Sequence, residues 1–227
     1  MAVSSYSIRA SRKGAQLRKC STHARESMTW LSLYALDYKG FFPTWIGDGP
    51  AINANRRIWR AYAGQGFAVM HKRPWFEFTG LSQQSPTLRC PANQLYGRLE
   101  AAKVNNDYSI TSAGYVVPAY MDPALPAESW RNQIGARVQQ LDAAAFPSAK
   151  VGVFEFSVWH GWTGAYGENA DLSGLDYFQS KMPGSVVFFD GHAEQRRPRP
   201  QPWVKRYPLW PYSPFDMTEW GLRGRDF

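Results

Sequence analysis

The sequence predicts an α+β fold in which one long N-terminal helix packs on an antiparallel β-sheet. Three observations lead to this prediction. Apolar residues recur at helical spacing before residue 40, two β-prone runs lie at 150–159 and 185–189, and residues 196–214 are too rich in proline to form a helix. We expect that last stretch to lie over the surface as extended, polyproline-like chain.

The N-terminal helix is predicted from residues that recur every three or four positions and therefore share one stripe. No proline interrupts it, and Lys39-Gly40 supplies a cationic last turn and a glycine stop. The half before Glu26 is basic and the half after it is apolar, so we expect the second half to be anchored on the sheet. The first half should project or lie along a surface. The stripe consists of Leu17, Cys20, Ala24, Met28, Leu31, Ala35 and Tyr38, of which the last three should be buried.

The sheet is predicted from shorter signals further along the chain. Residues 106–118 are typical of a strand, a turn and a second strand, and 150–159 alternates apolar and polar residues. The run 185–189 is continuously β-prone and ends in Asp190-Gly191, a strong turn signal. A short extended piece is predicted at 87–91, and helical spacing occurs at 55–63 and 130–141.

These elements divide the chain into three parts. At 227 residues the chain is one domain or one domain with extensions. We assign the helix to 7–40, an α+β head to 41–197, and an extended tail rich in proline, aromatic and basic residues to 198–227.

Composition points to an anionic neighbour and supplies ample core material. The net charge is +8, and 15% of the residues are aromatic. Such a charge suits a membrane surface, an acidic polymer, a nucleic acid or an acidic partner, but it is also common in basic proteins without one. No apolar run approaches the roughly 20 residues of a membrane span, and the first twenty residues lack the apolar centre of a signal peptide. The sequence as given therefore predicts no export signal.

Two cysteines, Cys20 and Cys90, leave two alternatives open. Neither belongs to a C-x-x-C pair, so a thiolate zinc site or a thioredoxin-like centre is not predicted. In an oxidising compartment they could form one disulfide worth roughly 4 kcal/mol. In the cytosol they would act as small buried hydrophobic residues.

Asp190, His192 and Glu194 form the first candidate site. Because they alternate, a strand would direct all three to one face, where they could bind a metal or pair an acid with a base. The alternative is a hairpin turn of type I′ at Asp190-Gly191 with a solvated strand face beyond it. We favour the turn, since the other histidines are scattered, and we predict no metal, no cofactor and no catalytic residues.

A second candidate is an aromatic loop. Trp159, His160, Trp162 and Tyr166 could form a platform for sugars or planar ligands, although such a loop more often folds its rings into a core.

Basic and aromatic residues interleave at 56–62 and 196–212, as in proteins that bind single-stranded nucleic acid. No nucleic-acid fold motif accompanies them, so we favour a surface strap and predict no nucleic-acid partner. Neither G-x-S-x-G nor H-E-x-x-H occurs, which gives no motif for a hydrolase.

Taken in order, several segments resemble the prepilin- and pseudopilin-like proteins of planctomycetes and their relatives. The resemblance covers residues 9–197 and depends on the order and spacing of its motifs. These are RKCST at 18–22, YALDYKGFFP at 34–43, LRCP at 88–91, the tyrosine-rich segment 107–115, FPSAK at 146–150 and SVVFFDGHAE at 185–194. Two features depart from the family. Ser180 stands where the family has a histidine, and the leader and apolar membrane helix do not precede the basic segment. We interpret this second departure as a truncation, a misplaced gene start or a lost anchor.

The resemblance implies a structural subunit related to type II secretion or type IV pili, and not an enzyme. Its partners would be other pilin-like subunits or further copies of itself, joined through the N-terminal helix, with an anionic envelope polymer or membrane surface nearby. It also implies a location in the cell envelope or outside the cell, and a disulfide between Cys20 and Cys90 near the base of the head. One alternative is a binding module for polysaccharide or another acidic polymer, using the aromatic loop and the basic tail. The other is a metal-dependent enzyme using Asp190, His192 and Glu194.

Overall fold

The described residues form one long helix and a four-stranded antiparallel sheet, which confirms the α+β class at this coarse level. The computed structural model describes residues 5–43, 85–92, 108–115, 122, 124, 138–155, 183–197 and 219–227. Helix α1 spans Ser5–Asp37, and the strands are β1 (Tyr108–Ile110), β2 (Val151–Glu155), β3 (Gly184–Phe188) and β4 (Ala193–Arg196). The strand order is β1-β2-β3-β4, with every neighbouring pair antiparallel. Short 3-10 turns occur at Pro86–Leu88, Ser112–Tyr115, Leu141–Ala143 and Gly221–Arg223.

Helix α1 ends where the sequence predicts, with a left-handed backbone at Lys39 and Gly40. Their φ angles are 56° and 82°. The Gly40 N–H donates to the Ala35 carbonyl at 2.7 Å, so the last turn of the helix is closed by its glycine. At 33 residues the helix is about 50 Å long.

The predicted stripe of α1 packs against β2, β3 and β4 as expected, except at its last member. Cys20, Ala24, Met28, Leu31 and Ala35 are buried, and Leu17 is half-buried. The prediction for Tyr38 is wrong, because 48% of this residue is exposed. The helix ends at Asp37, so Tyr38 no longer continues the stripe and instead stacks on Tyr34 with ring centroids 4.1 Å apart.

The two central strands are buried at every position. Because successive side chains of a strand point to opposite faces, five consecutive buried residues in β2 and in β3 mean that both faces of the sheet are covered. In the described residues 150–155, the alternation of the sequence therefore does not mark a solvent-facing side. Gly152 allows α1 to approach, since a Cβ atom there would lie 2.9 Å from the sulfur of Met28.

Of three further local predictions, one agrees with the structure where it is described, and two differ from it there. The segment 106–118 begins with strand β1 and continues in a 3-10 turn at Ser112–Tyr115, as the predicted strand and turn require. Residues 116–118, where the second strand was expected, lie outside the described part of the chain. Gly114 lies so close to Phe42 that a Cβ atom would come within 2.5 Å of the ring, so a side chain at this position would clash with Phe42. Residues 130–137 of the predicted helix at 130–141 lie outside the described part of the chain. Its described end is not α-helical, because Gln140 is extended and Leu141–Ala143 forms a 3-10 turn. The extended piece predicted at 87–91 is wrong for Thr87 and Leu88, which belong to the 3-10 turn Pro86–Leu88, whereas Arg89 is extended.

The end of the chain belongs to the core and is not a surface tail. In residues 219–227 the side chains of Leu222 and Asp226 are buried. The backbone N–H of Asp226 donates to Ala149 at 2.9 Å, and that of Ala145 donates to Leu222 at 3.2 Å. The predicted tail at 198–227 is therefore corrected for its last nine residues, whereas residues 198–218 and the predicted helix at 55–63 lie outside the described part of the chain.

Candidate functional site

The turn between β3 and β4 lies where the sequence predicts, but its geometry differs from the prediction. The Gly191 N–H donates to Phe188 at 2.9 Å, and the Phe188 N–H donates to His192 at 3.0 Å. Gly191 has a φ of 87°, whereas Asp190 does not have a positive φ. A type I′ turn needs positive φ at both central residues, so that prediction is wrong. The connection is a three-residue loop in which Gly191 takes the left-handed position that follows a tight turn.

Asp190, His192, Glu194 and Arg196 form a continuous row of charged and polar side chains along one face of this hairpin. The two nitrogens of His192 face different carboxylates. Nδ1 contacts Asp190, while Nε2 lies 3.6 Å from Glu194. Glu194 also pairs with the Nε of Arg196. The imidazole stacks on Phe188 with ring centroids 4.1 Å apart.

This row has the properties of a partly solvated strand face. Each of its side chains is more than a third exposed, and ion pairs at such positions contribute little to stability. Because the two carboxylates approach opposite ring nitrogens, one nitrogen cannot join both of them in ligating a metal. The geometry therefore favours the interpretation of this motif as a turn and strand face.

Gly191→Val is expected to lower the free energy of unfolding by at least about 1 kcal/mol, because a β-branched residue is strained at positive φ. A Cβ atom at this position would meet nothing within 4 Å, so the cost should come from the backbone alone. Gly191→Asn is the matched control, since asparagine tolerates this conformation, and it should cost clearly less. Urea denaturation of the three proteins measures the difference. Equal stability of the two variants would contradict the assigned turn geometry.

A second cluster surrounds Cys20 and Cys90, which the structure joins as a disulfide. Their Cα atoms lie 5.2 Å apart, below the roughly 7 Å beyond which a bridge is excluded. Both residues are buried, and the bridge fastens α1 to residues 85–92. His23, one turn along the helix, has its Nδ1 2.8 Å from the Arg89 carbonyl, and the Tyr108 hydroxyl donates to the Cys20 carbonyl at 3.2 Å. The bridge is thus set among buried polar contacts.

Glu155 is the residue of this cluster that the sequence analysis missed. Its side chain is buried at the end of β2 and accepts a hydrogen bond from the Ser185 N–H at 3.1 Å. Gln195 extends the network, because its amide donates to Ser185 Oγ at 2.7 Å and to Ser21 Oγ at 3.2 Å. The available signal was a single glutamate in the apolar run at 151–156. Such a residue is either at a solvent face or buried for a specific partner.

Lys150 and Asp226 form a buried ion pair that the sequence also did not indicate. The Lys150 Nζ lies 3.1 Å from Asp226 Oδ1, and neither side chain is exposed. Asp226 Oδ2 accepts the Val151 N–H at 2.8 Å. The pair joins the start of β2 to the segment 219–227, and we infer that it stabilises this contact.

The remaining predicted site residues lie outside the described part of the chain. These are the aromatic platform Trp159, His160, Trp162 and Tyr166, together with Ser180, the basic segment 56–62 and the segment 198–212.

Among the described residues, no helix combines the length and apolar character that crossing a bilayer requires. Comparisons with protein-family models, curated proteins and solved structures give no match for this chain.

Proposed function

We propose that this chain is a pilin-like structural subunit that acts by assembly through its N-terminal helix. The supporting observation is that the burial of side chains on α1 changes at Cys20. From residue 7 to residue 19 none of the described side chains is buried, whereas from Cys20 onward the stripe is buried on the sheet. The proposal combines this geometry with the motif resemblance at residues 9–197.

The exposed half of α1 lacks the packing that usually stabilises a helix of its length. A helical segment of thirteen residues is marginal in water without tertiary contacts. Ile8 lies on this half and is 47% exposed. Contacts with a neighbouring subunit would supply the apolar burial that the head itself does not provide to residues 7–19.

The anchored half of α1 also presents apolar side chains on its outer face. Leu33 and Leu36 lie one turn apart and are 47% and 79% exposed, and Trp30 lies one turn before Leu33. These three residues define the outer apolar patch. Single exposed apolar residues are ordinary on protein surfaces. Three of them on successive turns of one helix form a continuous patch, which favours a contact with another protein surface.

The Cys20–Cys90 bridge supports an envelope or extracellular location. Disulfides persist in oxidising compartments and are rare in the cytosol. The alternative of a polysaccharide-binding module depends on the aromatic platform, which lies outside the described residues. The alternative of an enzyme at Asp190, His192 and Glu194 has no convergent ligand geometry in its favour.

Sedimentation velocity of the oxidised chain over a range of concentrations tests the proposal. We expect reversible self-association, and we expect Leu36→Asp to weaken it at least about tenfold, because a charge in an apolar interface must be desolvated. Ser148→Asp is the matched control, since it adds the same charge at an exposed position that does not belong to α1. A chain that stays monomeric, or an equal effect of the two variants, would count against assembly through this helix.

A further inference from the structure

Two sulfur atoms and one carboxylate oxygen converge in the interior of this protein. The Sγ atoms of Cys20 and Cys90 and a carboxylate oxygen of Glu155 all lie within 4.8 Å of one another, and all three residues are buried. In the part of the chain that the structure describes, no other set of histidine, cysteine or acidic side chains converges in this way. The turn motif does not involve these residues, and the proposed assembly function uses only the disulfide, as support for its location.

We propose that the reduced protein binds a zinc-type divalent cation between Cys20, Cys90 and Glu155. Thiolate sulfur and carboxylate oxygen are both zinc ligands, with bond lengths of about 2.3 Å and about 2.0–2.2 Å. Two protein thiolates and one carboxylate leave a fourth tetrahedral position for water. Local sequence patterns do not indicate this site, because its ligands come from separate segments and not from a C-x-x-C pair.

The metal-bound and disulfide states exclude each other, since both use the same sulfur atoms. A dithiol reductant gives two electrons and two protons to the bridge, which becomes two thiols while the dithiol becomes a disulfide. Zn²⁺ then binds the two sulfurs as thiolates, and their two protons pass to solvent. The site therefore exists only before the bridge forms or after it is reduced.

The backbone around the bridge suits both states. Tetrahedral zinc with bonds of about 2.3 Å holds two sulfurs about 3.8 Å apart, which is wider than a disulfide but within reach of side-chain rotation. The Cα separation of 5.2 Å can stay the same. The three ligands also come from three supported places, namely α1, residues 85–92 and β2.

Glu155 is held in position by a contact that does not depend on the cation. Its Oε2 accepts the Ser185 N–H, and an outer hydrogen bond of this kind commonly orients a metal-ligating carboxylate. Glutamine could keep this hydrogen bond through its amide oxygen while removing the negative charge. Glu155→Gln therefore separates a role in ligation from a role in the fold.

Cobalt binding by the full chain provides the test. The protein is reduced with a trialkylphosphine, which takes an oxygen atom from water and becomes the phosphine oxide as the disulfide becomes two thiols. We expect the reduced protein to bind one Co²⁺ per chain with the visible absorption of tetrahedral thiolate cobalt, and Zn²⁺ to bleach it. The oxidised protein should show no such absorption. Glu155→Gln should weaken binding about 10–100-fold, whereas Glu194→Gln, at the hairpin row, should leave it unchanged.

Circular dichroism during the same titration makes every outcome informative. If reduction unfolds the chain, recovery of the native spectrum on addition of Zn²⁺ would support the site, and failure to recover would overturn it. Absence of thiolate cobalt absorption in the folded, reduced protein would also overturn it. Equal affinity of the wild type and Glu155→Gln would exclude Glu155 as a ligand. None of these results depends on self-association, so they are independent of the assembly proposal.

Discussion

Replacing Asp226 by alanine is expected to lower the free energy of unfolding by about 3–5 kcal/mol, the usual cost of removing one partner of a buried ion pair. The Asp226 carboxylate lies 3.1 Å from the Lys150 Nζ, and both side chains have no exposed surface. The substitution leaves the Lys150 ammonium in the interior without this carboxylate. It also removes the acceptor for the Val151 N–H at 2.8 Å, at the first residue of β2.

Equilibrium unfolding in urea measures this loss, and two variants make the result specific. Asp142→Ala removes an exposed carboxylate and should change the free energy of unfolding by no more than about 0.5 kcal/mol. The double variant Lys150→Met with Asp226→Leu should recover much of the stability, because apolar groups of similar size avoid the cost of desolvating the two charges. A loss below about 1 kcal/mol in Asp226→Ala would contradict the assigned role of the pair.

The Lys150–Asp226 pair also marks the limit of what local sequence patterns predict. The helix and the two central strands were predictable because α1, β2 and β3 each carry their periodicity or β-propensity within a short window. A lysine and an aspartate separated by 76 positions carry no such local signal. Asp226 lies at the end of a segment whose prolines favour extended surface chain, so the sequence placed it outside the core.

The hairpin at Asp190-Gly191 shows a second limit, because its position was predictable but its geometry was not. The dipeptide favours both a two-residue type I′ turn and a three-residue loop with glycine in the left-handed position. The number of loop residues depends on how β3 and β4 pair. Here Val187 pairs with Ala193 and the Phe188 N–H reaches His192, which leaves three residues in the loop. The pairing register, and not the turn residues alone, therefore decides the turn type.

Glu155 shows why the candidate metal site was harder to predict than the fold. The three ligands of the proposed site come from α1, from residues 85–92 and from β2, and only the folded chain brings them within 4.8 Å of one another. The cysteine count suggested a disulfide or two buried thiols, and motif spacing argued against zinc. The proposed metal site follows from the proximity of three residues in the folded chain, and no pattern within a single segment predicts it.

Removing the Cys20–Cys90 bridge should lower the free energy of unfolding by roughly 4 kcal/mol. The two residues are 70 positions apart, and closing a loop of that length removes much of the conformational entropy of the unfolded chain. The loss is large beside the total stability of about 5–15 kcal/mol that is usual for a domain. Because the effect arises in the unfolded chain, it should appear in the global unfolding transition.

Urea denaturation of the double variant Cys20→Ser with Cys90→Ser, compared with the wild type, measures this contribution. The two serines also occupy buried positions, so Cys20→Ala with Cys90→Ala serves as a second variant that introduces no buried hydroxyl. A phosphine reductant should destabilise the wild type by a similar amount and leave both double variants unchanged, with metal chelated throughout. If the reductant had no effect on the wild type, the bridge would contribute little, and packing of α1 on the sheet would account for the anchoring of the helix. An equal loss in the reduced wild type and the alanine variant would instead assign the stability to the covalent link itself.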